Sequence, residues 1–299
     1  MRVTLLVNPS AGSGGAGRAA DRVATRLRTV ADKLDVRVSR NADHAKAIAS
    51  AAVAEGIDVL AVLGRDGLAH LGANACAQGS TALAVVPAGS GNDLAGALGL
   101  PERTDAAVNA VAQLLSGHLR RRIDLGRVVD GPAQGRWWAT VLCAGFDSAV
   151  AERANRMRWP RGHWRYDIAL FAELAQLHPM PLAVDTDDDH IELLATLVAI
   201  GNGDRYGGGL RMCPQAQLDD GLFDVTVAEA MSRRRLVRVL PKVRNGGHLS
   251  DPSVRTLRVR TVRVECPSWL GYADGEPLAP LPLTVECMPG ALEVVAPHV

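Results

Sequence analysis

The chain has 299 residues, 47% of them hydrophobic and 22% charged, with a formal net charge of +1. That is the balance of an ordinary globular protein with room for one large or two ordinary domains. A near-neutral charge supplies no field for nucleic acid, and an aromatic content of 4% leaves little to stack on bases. No stretch approaches the roughly 18 apolar residues of a membrane span, and the apolar run after Met1-Arg2 is too short for a signal sequence. The five cysteines form no C-x-x-C pair and read as buried intracellular thiols.

Residues 3–7 read as a buried strand. It runs into a glycine-rich loop, Asn8-Pro9-Ser10-Ala11-Gly12-Ser13-Gly14-Gly15-Ala16-Gly17, and then into helical spacing over 18–33. Glycine lets the backbone approach a ligand, and a following helix start favours anions. The loop has neither the Gly-Lys-Ser/Thr of a Walker A motif nor a clean G-x-G-x-x-G, so ligand contact and a flexible connection both stay open. Residues 36–38 predict a second strand and 44–55 a second helix. Two strand–turn–helix units of one design follow. Residues 59–63 break at Gly64-Arg65-Asp66-Gly67, and residues 82–86 at Gly89-Ser90-Gly91-Asn92-Asp93. Two such turns at the carboxyl ends of neighbouring strands are where an open α/β sheet binds its ligand, and a phosphate-bearing ligand is the first expectation. A helix over 105–115 closes this alternation, which predicts a parallel sheet with crossover helices.

The pattern changes at Arg120-Arg121-Arg122. Short β-like runs at 123–129, 137–143, 193–200, 222–228, 258–265 and 283–287 predict a second, mainly antiparallel β domain. A helical insertion over 148–177 interrupts it, and a further helix runs from an N-cap at Ser232 to Val243. Within the insertion, Arg153, Arg156, Arg158, Arg161 and Arg165 interleave with Met157, Trp159, Trp164 and Tyr166. That mixture suits a membrane interface, or equally a solvated basic face with its aromatics in the core.

Several residues could carry chemistry. Asp66, between glycines, is either a helix cap or a carboxylate that orients metal-bound phosphate or a nucleophilic hydroxyl. Ser90 could donate to a phosphate oxygen, and Asn92 could hold its loop or bind nucleotide; a capped helix start explains both equally. Asp219-Asp220-Gly221 is a hairpin bend or a hard-cation site. Tyr272-Ala273-Asp274-Gly275-Glu276-Pro277 reads as a hairpin whose Glu276 becomes a general base if it faces a cleft.

Taken in order, these motifs resemble the diacylglycerol kinase catalytic family, which includes sphingosine kinases and bacterial lipid kinases. The likeness runs from Leu5-Leu6-Val7-Asn8-Pro9 through both phosphate-type turns, Gly145-Phe146-Asp147, Asn202 to Gly209 and Pro214 to Asp224, to Asp274-Gly275-Glu276. Residues 145–174 further look like actinobacterial soluble diacylglycerol kinases. The resemblance implies an ATP-binding α/β domain over 1–122, to which 291–299 returns. It also implies a β-rich lipid-binding domain over 123–290, with a catalytic cleft between the two. ATP would contact Asn8, Arg40, Gly64, Arg65, Asp66, Gly67 and Ser90, beside Asn92 and Asp93. Asp66 and Asp93 would organise catalytic Mg²⁺, and a structural Mg²⁺ would take the Asp220 side chain and the carbonyls of Gln217 and Leu222. Glu276 would be the proton acceptor, or Asp66 in a sphingosine-kinase-like arrangement.

Arg65 departs from the family's glycine, Ser90 from its threonine, and Arg40 from a frequent threonine. If position 65 needs a positive φ, arginine costs roughly 1 kcal/mol or more; its side chain would then fill phosphate space or pair with phosphate bidentately. The expected activity is an ATP- and Mg²⁺-dependent transfer to a lipid hydroxyl, diacylglycerol first and a sphingoid base second. It would take place in the cytoplasm, in peripheral contact with the inner membrane face. A homodimer stays open, and no nucleic acid is expected. Two rivals remain: a weakened lipid- or nucleotide-binding homologue with Arg65 as the lesion, and a kinase for a soluble polyol or nicotinamide nucleotide.

Overall fold

The runs that read as buried strands are apolar on both faces, which suits parallel strands covered by helices on either side. A computed structural model describes residues 1–89, 91–157 and 164–298. In it β1 (Arg2–Val7), β2 (Lys33–Val38), β3 (Val59–Gly64) and β4 (Ala82–Pro87) are parallel, in the order β2-β1-β3-β4. They alternate with α1 (Ala11–Arg28), α2 (Ala42–Ala54), α3 (Asp66–Cys76), α4 (Asp93–Ala97) and α5 (Thr104–Ser116). Helix α1 packs on α5 and α2 on α3. Asn41 caps α2, its side chain accepting the His44 N–H at 2.8 Å. Where a helix was expected over 18–33, Gly12, Ser13 and Gly14 take φ of 60°, 54° and 83°, so regular α1 begins after them. It ends at Arg28, and the chain is already back in the sheet at Lys33.

The second part is antiparallel: β5 (Arg121–Asp130), β6 (Trp137–Trp138), β7 (Val141–Gly145), β8 (Met180–Thr186), β9 (His190–Gly201), β10 (Phe223–Glu229), β11 (Val254–Val259), β12 (Thr261–Glu265), β13 (Leu270–Ala273), β14 (Glu276–Pro280) and β15 (Leu283–Val294). Helices α6 (Phe146–Arg156) and α7 (Trp164–Ala175) occupy the expected insertion, and α8 (Arg233–Val239) follows β10. Arg158, Trp159 and Arg161 lie outside the described residues, as do the side chains of Trp164, Arg165 and Tyr166. The main path of the sheet runs β14-β13-β7-β9-β8-β12-β15-β4-β3-β1-β2. Strand β15 is the link. It pairs antiparallel with β5 and β12, then its Val294 lies parallel to Leu83 of β4. Ala291, Leu292 and Val294 to Ala296 sit in the same apolar core as β1, β3 and β4.

Two expected strands are each divided. The run over 137–143 splits because β6 pairs with β5, whereas β7 pairs with β9 and β13. The run over 258–265 splits at Arg260, since β11 pairs with β10 and β12 with β8 and β15. The helix expected from Ser232 to Val243 stays α-helical only to Val239 and continues as a 3₁₀ turn over Leu240–Asn245, where Pro241 brings no N–H donor. Strand β8 follows the insertion directly, in a stretch where no strand was expected. Among the described residues, no helix is long and apolar enough to cross a membrane, and all five cysteines are buried.

Trp138 anchors the second core. It is fully buried and stacks on Phe223 with ring centroids 5.0 Å apart. Its indole lies flat on Gly126, its register partner in β5; a Cβ there would be 2.0 Å from the ring. Gly126→Ala is therefore expected to destabilise the protein by about 1–3 kcal/mol or more, read as the shift in denaturant midpoint.

Candidate active site

In the order β2-β1-β3-β4 the chain leaves β1 in both directions, which puts the sheet's switch point between β1 and β3. The loops after β1, β3 and β4 converge at that carboxyl edge. The Asn8 N–H donates to the Leu63 carbonyl at 3.1 Å and the Ala88 N–H to the Gly64 carbonyl at 2.8 Å. Gly12 and Gly89, both at positive φ, press backbone on backbone: a Cβ on Gly89 would lie 2.9 Å from Cα of Gly12. Asn8 Oδ1 accepts from Ser10 Oγ at 2.8 Å. Asn92 Nδ2 donates to the Gly89 carbonyl at 2.9 Å, and its buried Oδ1 has no partner among the described residues.

Arg65 sits at φ −109° and ψ −175°, extended backbone that any residue adopts, so it carries no conformational penalty. Its exposed side chain runs over Gly89, with Cδ 3.6 Å from where a Gly89 Cβ would be. Arg65→Gly is expected to leave stability within about 0.5 kcal/mol and to bring no large gain of turnover. A gain of about tenfold or more in a steady-state assay would restore the weakened-homologue reading.

Asp66 opens α3, half-buried, and its Oδ1 accepts the Asp93 N–H at 2.6 Å. Burial, then the charge of Asp93, push its carboxyl up to about 7. Its Oδ2 accepts no hydrogen bond among the described residues. A carboxylate so destabilised, with a free oxygen at a phosphate-type edge, fits a divalent cation. Asp93 is buried, and its oxygens accept the N–H groups of Gly208 at 3.1 Å and Gly209 at 2.8 Å. Burial raises its pKa as well, against those two donors. It thus ties the phosphate-type loop to the 207–209 glycines of the second part, a contact that no sequence pattern announces.

Glu276 is the first residue of β14, and its Oε1 lies over Gly67, 2.6 Å from where a Cβ would be. The hairpin and the α3 turn thus meet. In Gly67→Ala the obstructing atom is the end of a flexible side chain, so the carboxylate moves and the backbone stays. If Glu276 takes part in the transfer, displacing it by about 1 Å is expected to lower kcat about 10²-fold, with the melting temperature nearly unchanged.

Two sets stand apart from Asp66 and Asp93. Arg40 lies beyond β2, one strand further out than Asn8, where its N–H and Nε meet His44 Nδ1 at 3.2 and 3.3 Å. Gln217, Asp220 and Leu222 form a separate turn. There Asp220 Oδ1 accepts the Leu222 N–H at 3.0 Å, and Oδ2 takes the Arg258 guanidinium. In this structure Asp220 is paired with that arginine, and no step is derived through a cation at this turn. Among the described residues, no group of three or more His, Cys, Asp or Glu side chains is placed to hold a metal. Ser90 lies outside the described residues.

Sequence reasoning passed over several residues that tie these elements together. His70 and Asn74 follow Asp66 at one-turn intervals on α3 and meet Asp274 and Trp137. Buried Asp124 accepts the N–H groups of Gly221 and Gly290, each at 2.7 Å. The four-residue spacing of Asp66, His70 and Asn74 was the one available signal, since it puts them on one helix face.

With this geometry, comparison with known proteins is informative. Residues 2–128 match the model of the diacylglycerol kinase catalytic domain, and residues 140–296 match that of the YegS C-terminal NAD kinase beta sandwich-like domain. The chain is 41% identical to a diacylglycerol kinase of Mycobacterium tuberculosis, over 99% of this chain and 96% of that one. It is 30% identical to a Stenotrophomonas maltophilia protein named "Probable lipid kinase YegS-like", over 89% and 87% of the two chains. A crystal structure of a diacylglycerol kinase from Bacillus anthracis superposes with a TM-score of 0.74 at 19% identity, covering 99% of this chain and 97% of that one; this likeness concerns the fold. The chain belongs to the diacylglycerol kinase catalytic domain family. It is a lipid kinase.

Proposed function

We propose that the protein transfers the γ-phosphoryl group of ATP to the free hydroxyl of a diacylglycerol, giving phosphatidic acid and ADP. The observation that carries this reading is the Glu276 carboxylate lying over Gly67, beside Asp66. The loops after β1, β3 and β4 would cradle the phosphates, with the first N–H groups of α3 unpaired within the helix and available to phosphate oxygens. Glu276 takes the hydroxyl proton as the acceptor oxygen bonds to the γ-phosphorus and the bond to the β-phosphate oxygen breaks. Asp66 would hold Mg²⁺, which when bound neutralises charge on the phosphates. Asp93 keeps the second part closed on this edge through Gly208 and Gly209.

A cavity of about 250 Å³ lies between α6, α7 and the segment before β13, lined by Phe146, Ser148, Leu177, Met180, Trp269 and Leu270 among others. Burial, then the charge of Glu152 on its wall, push the Tyr272 hydroxyl up, and Glu276 adds to this. The cavity is smaller than a typical drug-sized site, which supports entry of the glycerol end while the acyl chains stay in the bilayer. On α7 the exposed Ile168 and Phe171 offer apolar contact with such a surface. The test is ³²P transfer from labelled ATP to diacylglycerol in mixed micelles, with and without Mg²⁺, against sphingosine and NAD. Label in phosphatidic acid is expected. Label only in a soluble acceptor would overturn the reading.

A further inference from the structure

We infer that His70 is a positioning residue for the transfer: with Asn74 and Asp274 it forms a buried strut that sets where the Glu276 carboxylate sits. This rests on the reading of Glu276 as proton acceptor.

His70 is 5% exposed and Asp274 8%. Burial pushes the Asp274 carboxyl up, but the hydrogen bond and charge of His70 and the N–H groups of Ala139 and Thr140 outweigh it. The group is held below the usual carboxylate range. An ionised carboxylate only accepts, so His70 Nδ1 carries hydrogen and donates to Asp274 Oδ2 at 2.9 Å. The remaining donors are the Ala139 N–H to Oδ2 at 2.9 Å, and the Thr140 N–H and hydroxyl to Oδ1, both at 2.8 Å. Four donors fill the carboxylate's acceptor sites, so Asp274 is a clamp and has no capacity left for substrate. Asn74 extends the strut. Its Nδ2 lies 3.3 Å from His70 Nε2 and donates to the Trp137 carbonyl at 3.0 Å, while its Oδ1 accepts the Trp137 N–H at 3.2 Å.

The strut grips both sides of the Glu276–Gly67 approach. Asp274 and Gly275 have φ of 52° and 81°, the two positive values of a tight hairpin turn, and Glu276 is the next residue. Gly67 and His70 belong to the same helix, three residues apart. The bond from His70 to Asp274 therefore joins the helix under the carboxylate to the turn that carries it. Without that donor, a buried carboxylate is left short of a partner and the turn is released from α3.

The test is a steady-state cycle on the full-length chain: His70→Phe, which keeps the ring and removes the donor, His70→Asn, which keeps an N–H donor, Glu276→Gln, and the His70→Phe/Glu276→Gln double variant. His70→Phe is expected to lower kcat about 10²-fold with KM for ATP nearly unchanged. His70→Asn is expected to recover part of the loss, and the double variant to be no slower than Glu276→Gln alone. Wild-type kcat in His70→Phe, or losses that multiply in the double variant, would overturn the proposal. Glu276→Gln by itself reports on the acceptor reading; full activity there would sink that reading and the proposal with it. Should His70→Phe not fold, Thr140→Val removes another donor to the same carboxylate and enters the same cycle, with the same non-additivity expected.

Discussion

Glu276→Gln is expected to lower kcat for lipid phosphorylation by about 10²–10⁴-fold, the range for removing a general base. Glutamine keeps the shape and the place over Gly67 but cannot take a proton. Because the side chain is exposed and accepts no structural hydrogen bond among the described residues, melting temperature and ATP affinity should hold. Isothermal titration with a non-hydrolysable ATP analogue, beside the turnover assay, separates the two effects. Retained turnover would transfer the acceptor role to Asp66. Lost nucleotide binding would mean that Glu276 holds ATP instead.

Asp66→Asn is expected to move activity and stability in opposite directions. The amide keeps an oxygen for the Asp93 N–H and removes the charge, so kcat should fall about 10²–10³-fold or more, as when one stabilising group is lost from a transition state. Folding should gain. The carboxyl sits at about 7 in the folded protein, against an unfolded value near 3.9. The folded state thus binds the proton more tightly, and the wild type loses stability as pH rises from about 4 to 7, with no further loss above. The stabilisation of Asp66→Asn over wild type should grow across that window and level off beyond it. Thermal melts of the ligand-free protein at pH 4.5, 6 and 8 check this. A variant less stable than wild type at pH 8 would show Asp66 to be a structural cap. For the wild type, kcat/KM for ATP should rise through about pH 7 if Asp66 acts as a carboxylate toward the nucleotide's cation.

Short-range pattern carried much of this protein. The continuous apolar runs at 59–63 and 82–86 are of strand length, end at glycine turns, and form strands of a sheet buried on both faces. The glycine- and carboxylate-bearing breaks after them mark the ligand edge, because the connections of an open sheet collect there. Asp274-Gly275 is legible as a turn, and Ser232 as a cap whose hydroxyl accepts the Arg235 N–H at 3.3 Å. What such patterns left undecided is which distant groups meet. His70 and Asp274 are 204 positions apart, and Asp93 and Gly209 are 116 apart. Whether Arg65 is strained depended on a φ that its neighbours in space impose, and whether Asp220 is free for a cation depended on Arg258 arriving from another strand. Periodicity, turn chemistry and caps act over a few residues and can be read along the chain. Clamping one carboxylate with donors from α3 and the segment before β7 is settled only when register and packing bring those elements together.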